Sequence, residues 1–108
     1  LAFTPAQMER GLQYRRHLPE DEGILFVYPH PVRQAFWMKN TYIPLSIAFI
    51  NREGRILSIQ EMEPNNSSRF YHSPLPFWYA LEVNQGWFEK NDIRVGGRIT
   101  MDKSLRNF

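Results

Sequence analysis

The sequence predicts an α+β domain with a small, mostly antiparallel, barrel-like sheet, one main N-terminal helix and a short C-terminal helical turn. The chain has 108 residues, the length of one domain. Hydrophobic residues make up 43% of it and aromatic residues 15%, which is enough apolar surface for a folded core. Beyond residue 22 the apolar residues form short β-branched and aromatic runs separated by turn residues, a pattern typical of strands.

The N-terminal segment carries the signals of a helix start. Thr4 is a capping residue, Pro5 suits the first helical position, and Gln7 completes a capping box. Apolar residues four apart follow on one face, so a helix is predicted from Pro5 to about Tyr14. Residues 1–3 fit the end of a strand whose start is missing from this sequence.

The rest of the chain reads as strands and turns. The predicted strands are 23–28, 34–40, 45–50, a partner strand ending at 63, 77–83 and 98–101. Pro29 and Pro31 are expected to end the first strand, because two prolines cannot both sit in a ladder. A turn at 51–54 makes 45–63 a hairpin, and 64–76 is a long loop and hence a candidate for function. Residues 84–92 are predicted as the short helical turn.

Composition excludes several classes of site. The chain has no cysteine, which excludes disulfides, zinc–cysteine sites, iron–sulfur clusters and thiol nucleophiles. His17, His30 and His72 lack metal-site spacing, and no phosphate loop or dinucleotide fingerprint occurs, so neither a metal nor a cofactor is predicted. No apolar run of about 18 residues is present, so no membrane span is predicted.

The charges favour a solvated surface over a nucleic-acid interface. Thirteen basic and 11 acidic residues give a net charge of +2. Basic and acidic runs alternate, as at 15–17 and 20–22, so each partly cancels the other. Weak nucleic-acid binding through the arginines remains only as an alternative.

The segment 36–41, FWMKNT, concentrates the candidate binding residues. On a strand, Trp37 and Lys39 share one face, and both faces begin apolar, which predicts a central strand. Its polar end, Lys39, Asn40 and Thr41, leaves the sheet together and is suited to binding an anion or orienting a carbonyl. Alternatively, Asn40 and Thr41 satisfy the backbone of a turn while Lys39 pairs with a carboxylate.

Two charged residues elsewhere are further candidates. Glu82 lies on a predicted strand and is expected to be half-buried, which raises a carboxyl pKa and suits general acid or base chemistry. Alternatively, Glu82 forms an ion pair with Lys39 or Arg15. Arg15 is expected to turn inward to Glu82 or Asp21, whereas Arg16 faces solvent.

Five blocks in order resemble the DUF192 family of unknown function. They are GLQYR at 11–15, GILFV at 23–27, FWMKNTYIPL at 36–45, NREG at 51–54 and YALEV at 79–83. The resemblance spans about residues 1–99 and implies one compact, β-rich bacterial or archaeal domain over 1–108, often behind a signal or lipoprotein segment. It implies no reaction. Ser46 stands where the family usually has aspartate, and Gly96–Gly97 replaces a glycine–aspartate pair, which argues against an acid–base or metal mechanism.

These observations lead to three functional hypotheses. The first is an extracytoplasmic, periplasmic ligand-binding or accessory domain, with an upstream signal or anchor and a pocket for a small polar or anionic ligand near the FWMKNT end. Its candidate residues are Arg15, Trp37, Lys39, Asn40, Thr41, Ser46 and Glu82. The second is a hydrolase or lyase that uses Lys39, Asn40 and Glu82, and the third is the weak nucleic-acid binder. The predicted core is Leu25, Phe26, Val27, Phe36, Met38, Leu45, Ile47, Phe49, Leu57, Ile59 and Leu81.

Overall fold

A computed structural model describes residues 2–5 and 12–100 of the chain. Its strands are β1 (Ala2–Pro5), β2 (Glu22–Val32), β3 (Phe36–Trp37), β4 (Leu45–Ile50), β5 (Ile56–Met62), β6 (Phe70–Tyr71) and β7 (Phe77–Asn84), and its helix is α1 (Trp87–Lys90). A five-stranded sheet has the order β1-β2-β7-β4-β5, and β3 pairs with β6 in a second sheet. β1 is parallel to β2, and the other pairs are antiparallel.

The predicted α+β class with a main N-terminal helix is wrong, because the described part of the chain is nearly all β. Thr4 and Pro5 belong to β1 and pair with β2, and residues 12–14 form a turn. Residues 6–11, the middle of the predicted helix, lie outside the described residues. The capping signal is local, and pairing with β2 overrides it at Thr4 and Pro5. Proline is tolerated in β1 because this strand is an edge of the sheet.

The predicted barrel-like closure is also wrong. The large sheet is open and has β1 and β5 at its two edges. The C-terminal helical turn is confirmed as α1, which follows the left-handed Gly86 at φ 87°. The described segments contain no helix long and apolar enough to span a membrane.

The hairpin was predicted correctly from local signals, but the extents of the strands before and after it were not. The predicted strand 45–50 is β4, and it pairs with β5 across the 51–54 turn. β2 continues through both prolines to Val32, with a register irregularity after Val27 where proline is accommodated. The predicted strand 98–101 is reduced to a single bridge from Arg98 to Arg55, and its last residue lies outside the described part.

The FWMKNT segment is not a central strand. β3 is two residues long and, among the described strands, pairs only with β6, which lies inside the predicted 64–76 loop. Phe36 and Met38 are nevertheless buried as predicted, because this small sheet covers one face of the large one. The apolar residues of FWMKNT alternate because the segment belongs to a layer that covers the large sheet. One side of this layer packs on the core, and the other side faces solvent.

The five-stranded sheet is covered on both faces. One face, which we call the β3 face, packs Phe26, Ile47 and Phe49 against the β3–β6 sheet. The other, the α1 face, packs Leu25, Ala48, Ile50, Leu81 and Val83 against Trp87 and Phe88 of α1. In the predicted core Val27, Leu57 and Ile59 are half-buried, and the remaining residues are buried.

The outer strand β5 is partly covered by a later segment of the chain. The Ile56 amide donates to the Gly97 carbonyl at 2.9 Å, and the Gly96 amide donates to the Ile56 carbonyl at 2.9 Å. The preceding turn packs so closely that a Cβ at Gly54 would overlap the Ile99 carbonyl oxygen. The start of β5 is therefore bonded on both sides.

Candidate functional site

Asn40 joins three segments that are distant in the sequence. Its Nδ2 donates to the Tyr14 hydroxyl at 2.9 Å, and its carbonyl accepts the Tyr14 amide at 2.7 Å. Its own amide donates to Asn65 Oδ1 at 3.3 Å, and the Asn65 amide donates to the Thr41 carbonyl at 2.6 Å. Asn40 has φ 58°, a left-handed conformation that asparagine tolerates better than most residues. The end of FWMKNT thus meets the 12–18 segment and the 64–76 loop.

Asn40 and Thr41 act as turn residues in the structure. Thr41 is buried, and its hydroxyl donates to the Lys39 carbonyl at 3.4 Å. With the side chain of Asn40 bonded to Tyr14, both polar side chains have protein partners. Lys39 is in none of the ion pairs of the described chain, so the carboxylate partner suggested for it is not found there.

The exposed side of β3 and β6 carries an aromatic stack. Trp37 and Phe70 are cross-strand partners, and their rings stack with centroids 5.5 Å apart. Trp37 is 40% exposed and Phe70 50% exposed. The Lys39 ammonium lies 5.4 Å from the centre of the Trp37 ring, within cation–π range. We call Trp37, Lys39 and Phe70 the aromatic–basic surface.

Arg15 does not turn inward as predicted. Both Arg15 and Arg16 are exposed, and neither belongs to an ion pair within the described ranges. The expectation assumed a helix end before Arg15, whereas the structure has a turn that closes at left-handed Tyr14. The Arg16 guanidinium lies 5.3 Å from the centre of the Tyr42 ring.

Glu82 is more deeply buried than predicted, at 5% exposure. It lies on the β3 face of β7, directly opposite Ile24 and Ile47 on the two neighbouring strands. Burial raises the pKa of Glu82 to about 7, as expected for a desolvated carboxyl group. The suggested ion pair with Lys39 or Arg15 is absent from the described residues.

Tyr28 is a second buried polar group on the β3 face. Its hydroxyl has no hydrogen-bond partner among the described residues. Burial, together with the charge of Glu82, raises the pKa of Tyr28 to about 12. Two polar groups whose burial costs folding free energy therefore lie on this face of the core.

The three residues of the enzyme hypothesis are not brought together by any bond in the described chain. Lys39 lies over an exposed ring, the amide of Asn40 is bonded to Tyr14, and Glu82 is enclosed within the sheet. No group of three histidine, aspartate or glutamate residues in that part of the chain is arranged to hold a metal ion.

Ser46 lies apart from the other candidates, on the α1 face. Its hydroxyl accepts the Gly86 amide at 3.2 Å and lines a cavity of about 300 Å³. The cavity is formed by Ser46, Ile59, Glu61, Gly86, Phe88, Glu89, Asp92, Ile93 and Arg94. Apart from Ser46, sequence reasoning missed these residues, because none belongs to a recognisable motif and they meet only through folding.

The fold and site define a small, nearly all-β domain with an exposed aromatic–basic surface. The chain belongs to the DUF192 family, described as "Uncharacterized ACR, COG1430", which matches residues 1–101. The family resemblance in the sequence is thereby confirmed. No protein of curated function matches the chain.

Two crystal structures share this fold. One, from Sinorhizobium meliloti, is described as a "putative transcription regulator"; it is 38% identical, with a TM-score of 0.81, and the match covers 90% of this chain and 75% of that one. The other, from Novosphingobium aromaticivorans, is a protein of unknown function; it is 28% identical, with a TM-score of 0.82, over 92% of this chain and 72% of that one.

Proposed function

We propose that this chain is a binding module that takes a small anionic ligand with a planar ring at the aromatic–basic surface. The exposed stack of Trp37 on Phe70, with the Lys39 ammonium over the indole, is the observation that carries the proposal. A planar ring can stack on either exposed aromatic, and an attached anion can pair with the ammonium.

The backbone holds this surface in place before any ligand arrives. Phe36 pairs with Tyr71, and Trp37 pairs with Phe70. Because side chains alternate along a strand, burial of Phe36 and Tyr71 in the core directs Trp37 and Phe70 outward together. A ligand that stacks there therefore orders few side chains, which lowers the entropic cost of binding.

Asn40, the residue after Lys39, anchors the backbone from which the Lys39 side chain extends. Its bonds to Tyr14 and Asn65 tie the end of FWMKNT to two loops. The ammonium consequently extends from an anchored turn next to the stacked rings. This arrangement supports recognition of a ring and an anion by adjacent groups.

Adenosine monophosphate is a suitable probe, with adenosine and inorganic phosphate as controls for ring and anion alone. We expect the nucleotide to quench tryptophan fluorescence and to bind more tightly than either control. Trp37→Ala should abolish detectable binding, and Lys39→Gln should weaken it by about threefold to tenfold through loss of the charge contact.

Arg52 provides a matched control, because its guanidinium lies 5.1 Å from the centre of the Trp78 ring, as a second cation–π pair. Arg52→Gln should leave nucleotide affinity unchanged while removing the same unit of charge. Equal weakening by Lys39→Gln and Arg52→Gln, or affinity for adenosine equal to that for the nucleotide, would contradict the proposal.

Single-stranded nucleic acid is a second candidate ligand for this surface. The exposed ring pair carries the Lys39 ammonium over Trp37, and stacked rings beside a cation are a combination that proteins use to stack bases and track phosphates. The description of the Sinorhizobium structure as a "putative transcription regulator" adds a reason to test a nucleic acid here. Steeply salt-dependent binding of a short oligothymidine, lost in Trp37→Ala, would support it; no retention on heparin at low salt would exclude it.

We also propose that the module acts outside the cytoplasm, in the periplasm. The support is the frequent signal or lipoprotein segment that the family resemblance implies. Cell fractionation of the full-length protein tests it directly. Recovery with periplasmic or envelope markers is expected, and recovery with cytoplasmic markers alone would overturn this part of the proposal.

A further inference from the structure

We propose that the cavity between β4, β5 and α1 is a second binding site, which takes a small organic cation composed of a primary ammonium, a short apolar chain and a terminal hydroxyl. This site lies on the α1 face and is independent of the aromatic–basic surface. Three features of the cavity carry the inference: its apolar wall, two carboxylates without an ion pair in the described chain, and a buried hydroxyl whose proton has no acceptor there.

The cavity is formed by two elements that the fold holds together. Ser46 and Glu61 are cross-strand partners in the β4–β5 hairpin, so their side chains lie on the same face. Phe88 is buried against that face, and Ile93 follows it, its amide donating to the Phe88 carbonyl at 2.8 Å. With Ile59 these side chains give the cavity an apolar wall. Its volume of about 300 Å³ is at the lower end for small-molecule sites.

The charges that line the cavity favour a cation. Asp92 is paired with Arg94 at 2.9 Å, which compensates one carboxylate. Glu61 and Glu89 take part in no ion pair among residues 12–100. The cavity lining thus carries two carboxylates outside these ion pairs, although the whole chain has a net charge of +2. An ammonium ion at the mouth would pair with these two carboxylates.

Ser46 supplies an independent indication of a ligand. It is only 2% exposed and lines the cavity, and its one hydrogen bond within the described chain accepts the Gly86 amide. A hydroxyl has one proton to donate and two lone pairs, so the proton of Ser46 has no acceptor among the described residues. A buried donor of this kind is costly unless something accepts its proton. The terminal hydroxyl of an amino alcohol meets this need while its ammonium reaches the acidic mouth.

The test is a titration of the isotope-labelled chain with 5-amino-1-pentanol, followed by amide chemical shifts. We expect shifts confined to the cavity residues and a dissociation constant on the order of 1 mM, as is usual for a ligand of this size. 1-Pentanol and 5-hydroxypentanoate, the neutral and anionic counterparts, should bind at least about tenfold more weakly. Affinity should also fall as ionic strength rises.

Two sets of variants separate the charge from the hydroxyl. The double variant Glu61→Gln/Glu89→Gln should lower affinity by about tenfold, whereas Glu22→Gln/Glu53→Gln, which changes net charge equally at exposed sites outside the cavity, should not. Ser46→Ala should weaken the amino alcohol by about threefold to tenfold and leave n-pentylamine unaffected.

Several outcomes would overturn the inference. They are equal affinity for 1-pentanol and the amino alcohol, shifts outside the cavity, equal effects of the two double variants, and no shift at concentrations up to about 100 mM. None of these results depends on whether the aromatic–basic surface binds an anion, so the two proposals stand or fall separately.

Discussion

Glu82 shows how one side chain can make the stability of a small domain depend on pH. It lies in the middle of the large sheet with isoleucines on both neighbouring strands and no compensating cation in the described chain. Burial raises its pKa from 4.5 to about 7, so the folded protein prefers the neutral carboxyl. In the unfolded chain the Glu82 carboxyl ionises at the lower pH. The difference between its pKa values in the two states therefore contributes to the free energy of folding.

The sign of the effect follows from this mismatch. Well below pH 4.5 both states are protonated and Glu82 costs nothing. Between about pH 4.5 and 7 the unfolded chain ionises while the folded state stays neutral, so the free energy of unfolding falls, and above about 7 the loss is complete. We expect the wild type to lose about 3 kcal/mol of unfolding free energy between pH 4.5 and 8 relative to Glu82→Gln. Urea unfolding across this range measures it. Glu53→Gln, an exposed control, should retain the wild-type dependence; parallel curves for wild type and Glu82→Gln would refute the assignment.

Two glycines with nearly the same backbone conformation separate strain from steric overlap. Gly54 has φ 86° and Gly96 has φ 87°. A Cβ at Gly54 would meet the Ile99 carbonyl, whereas at Gly96 no atom of the described chain lies within 4 Å. Gly96→Ala should cost about 1 kcal/mol from backbone strain alone, and Gly54→Ala should cost at least about 2 kcal/mol more. Thermal or urea unfolding would show this difference, and equal losses would mean that the close contact is relieved without cost.

At this scale the sequence predicted that Glu82 is at least half-buried, because an acidic residue within an apolar strand has few alternatives to burial. It left open whether the carboxyl pKa is raised or an ion pair forms, and the structure favours the raised pKa. It did not predict the exposure of Arg15. That expectation depended on a helix before Arg15, and an error in the local element carried over to the side chain. The Ser46 cavity was also missed, since its lining residues acquire meaning only through tertiary contact.

Among the elements, the short β3–β6 pair contributes to both the core and the surface. Phe36 is buried, with its ring centre 5.2 Å from that of Phe26 and 5.7 Å from that of Phe49. Its neighbour Trp37 faces outward on the same strand. Adjacent positions therefore have opposite roles, and substitutions should distinguish them.

Phe36→Ala and Phe49→Ala should each lower the unfolding free energy by about 3–5 kcal/mol, because each leaves a cavity in the β3 face. Trp37→Ala should cost less than about 1.5 kcal/mol, since its ring loses mainly the exposed stack. Urea denaturation of the three variants provides the comparison. A loss at Trp37 as large as that at Phe36 would show that the stack is a structural element rather than an available surface.

The hairpin was predictable because its signals lie within a few residues: a turn sequence between two apolar runs. β1 was predictable only in part: residues 1–3 were expected to end a strand, but its continuation to Pro5 was not, because its partner β2 lies some twenty residues away and the local capping signal at Thr4 to Gln7 favours a helix. The short length of β3 could not be predicted from local signals either. An alternating segment looks the same whether it pairs over its whole length or over two residues.

At the scale of the whole molecule, the sheet is held together by contacts between distant parts of the chain. β2 and β7 are neighbours although about fifty residues separate them, and β7 then pairs with β4. Chains with such non-local pairing fold slowly, because loop closure precedes the stabilising contacts. Stopped-flow refolding from urea should show a main phase in the millisecond-to-second range; completion within microseconds would indicate that local structure dominates instead.

The cover over the start of β5 also bears on how these molecules behave at high concentration. An uncovered outer strand presents free amides and carbonyls that can recruit the same strand from another molecule, the first step towards fibrils. Here Ile56 already bonds to Gly96 and Gly97. Farther along, Gln60 donates from its side chain to the His72 carbonyl at 2.7 Å, holding another segment beside the strand. These contacts thus protect one edge of the sheet from pairing with the same strand of another molecule.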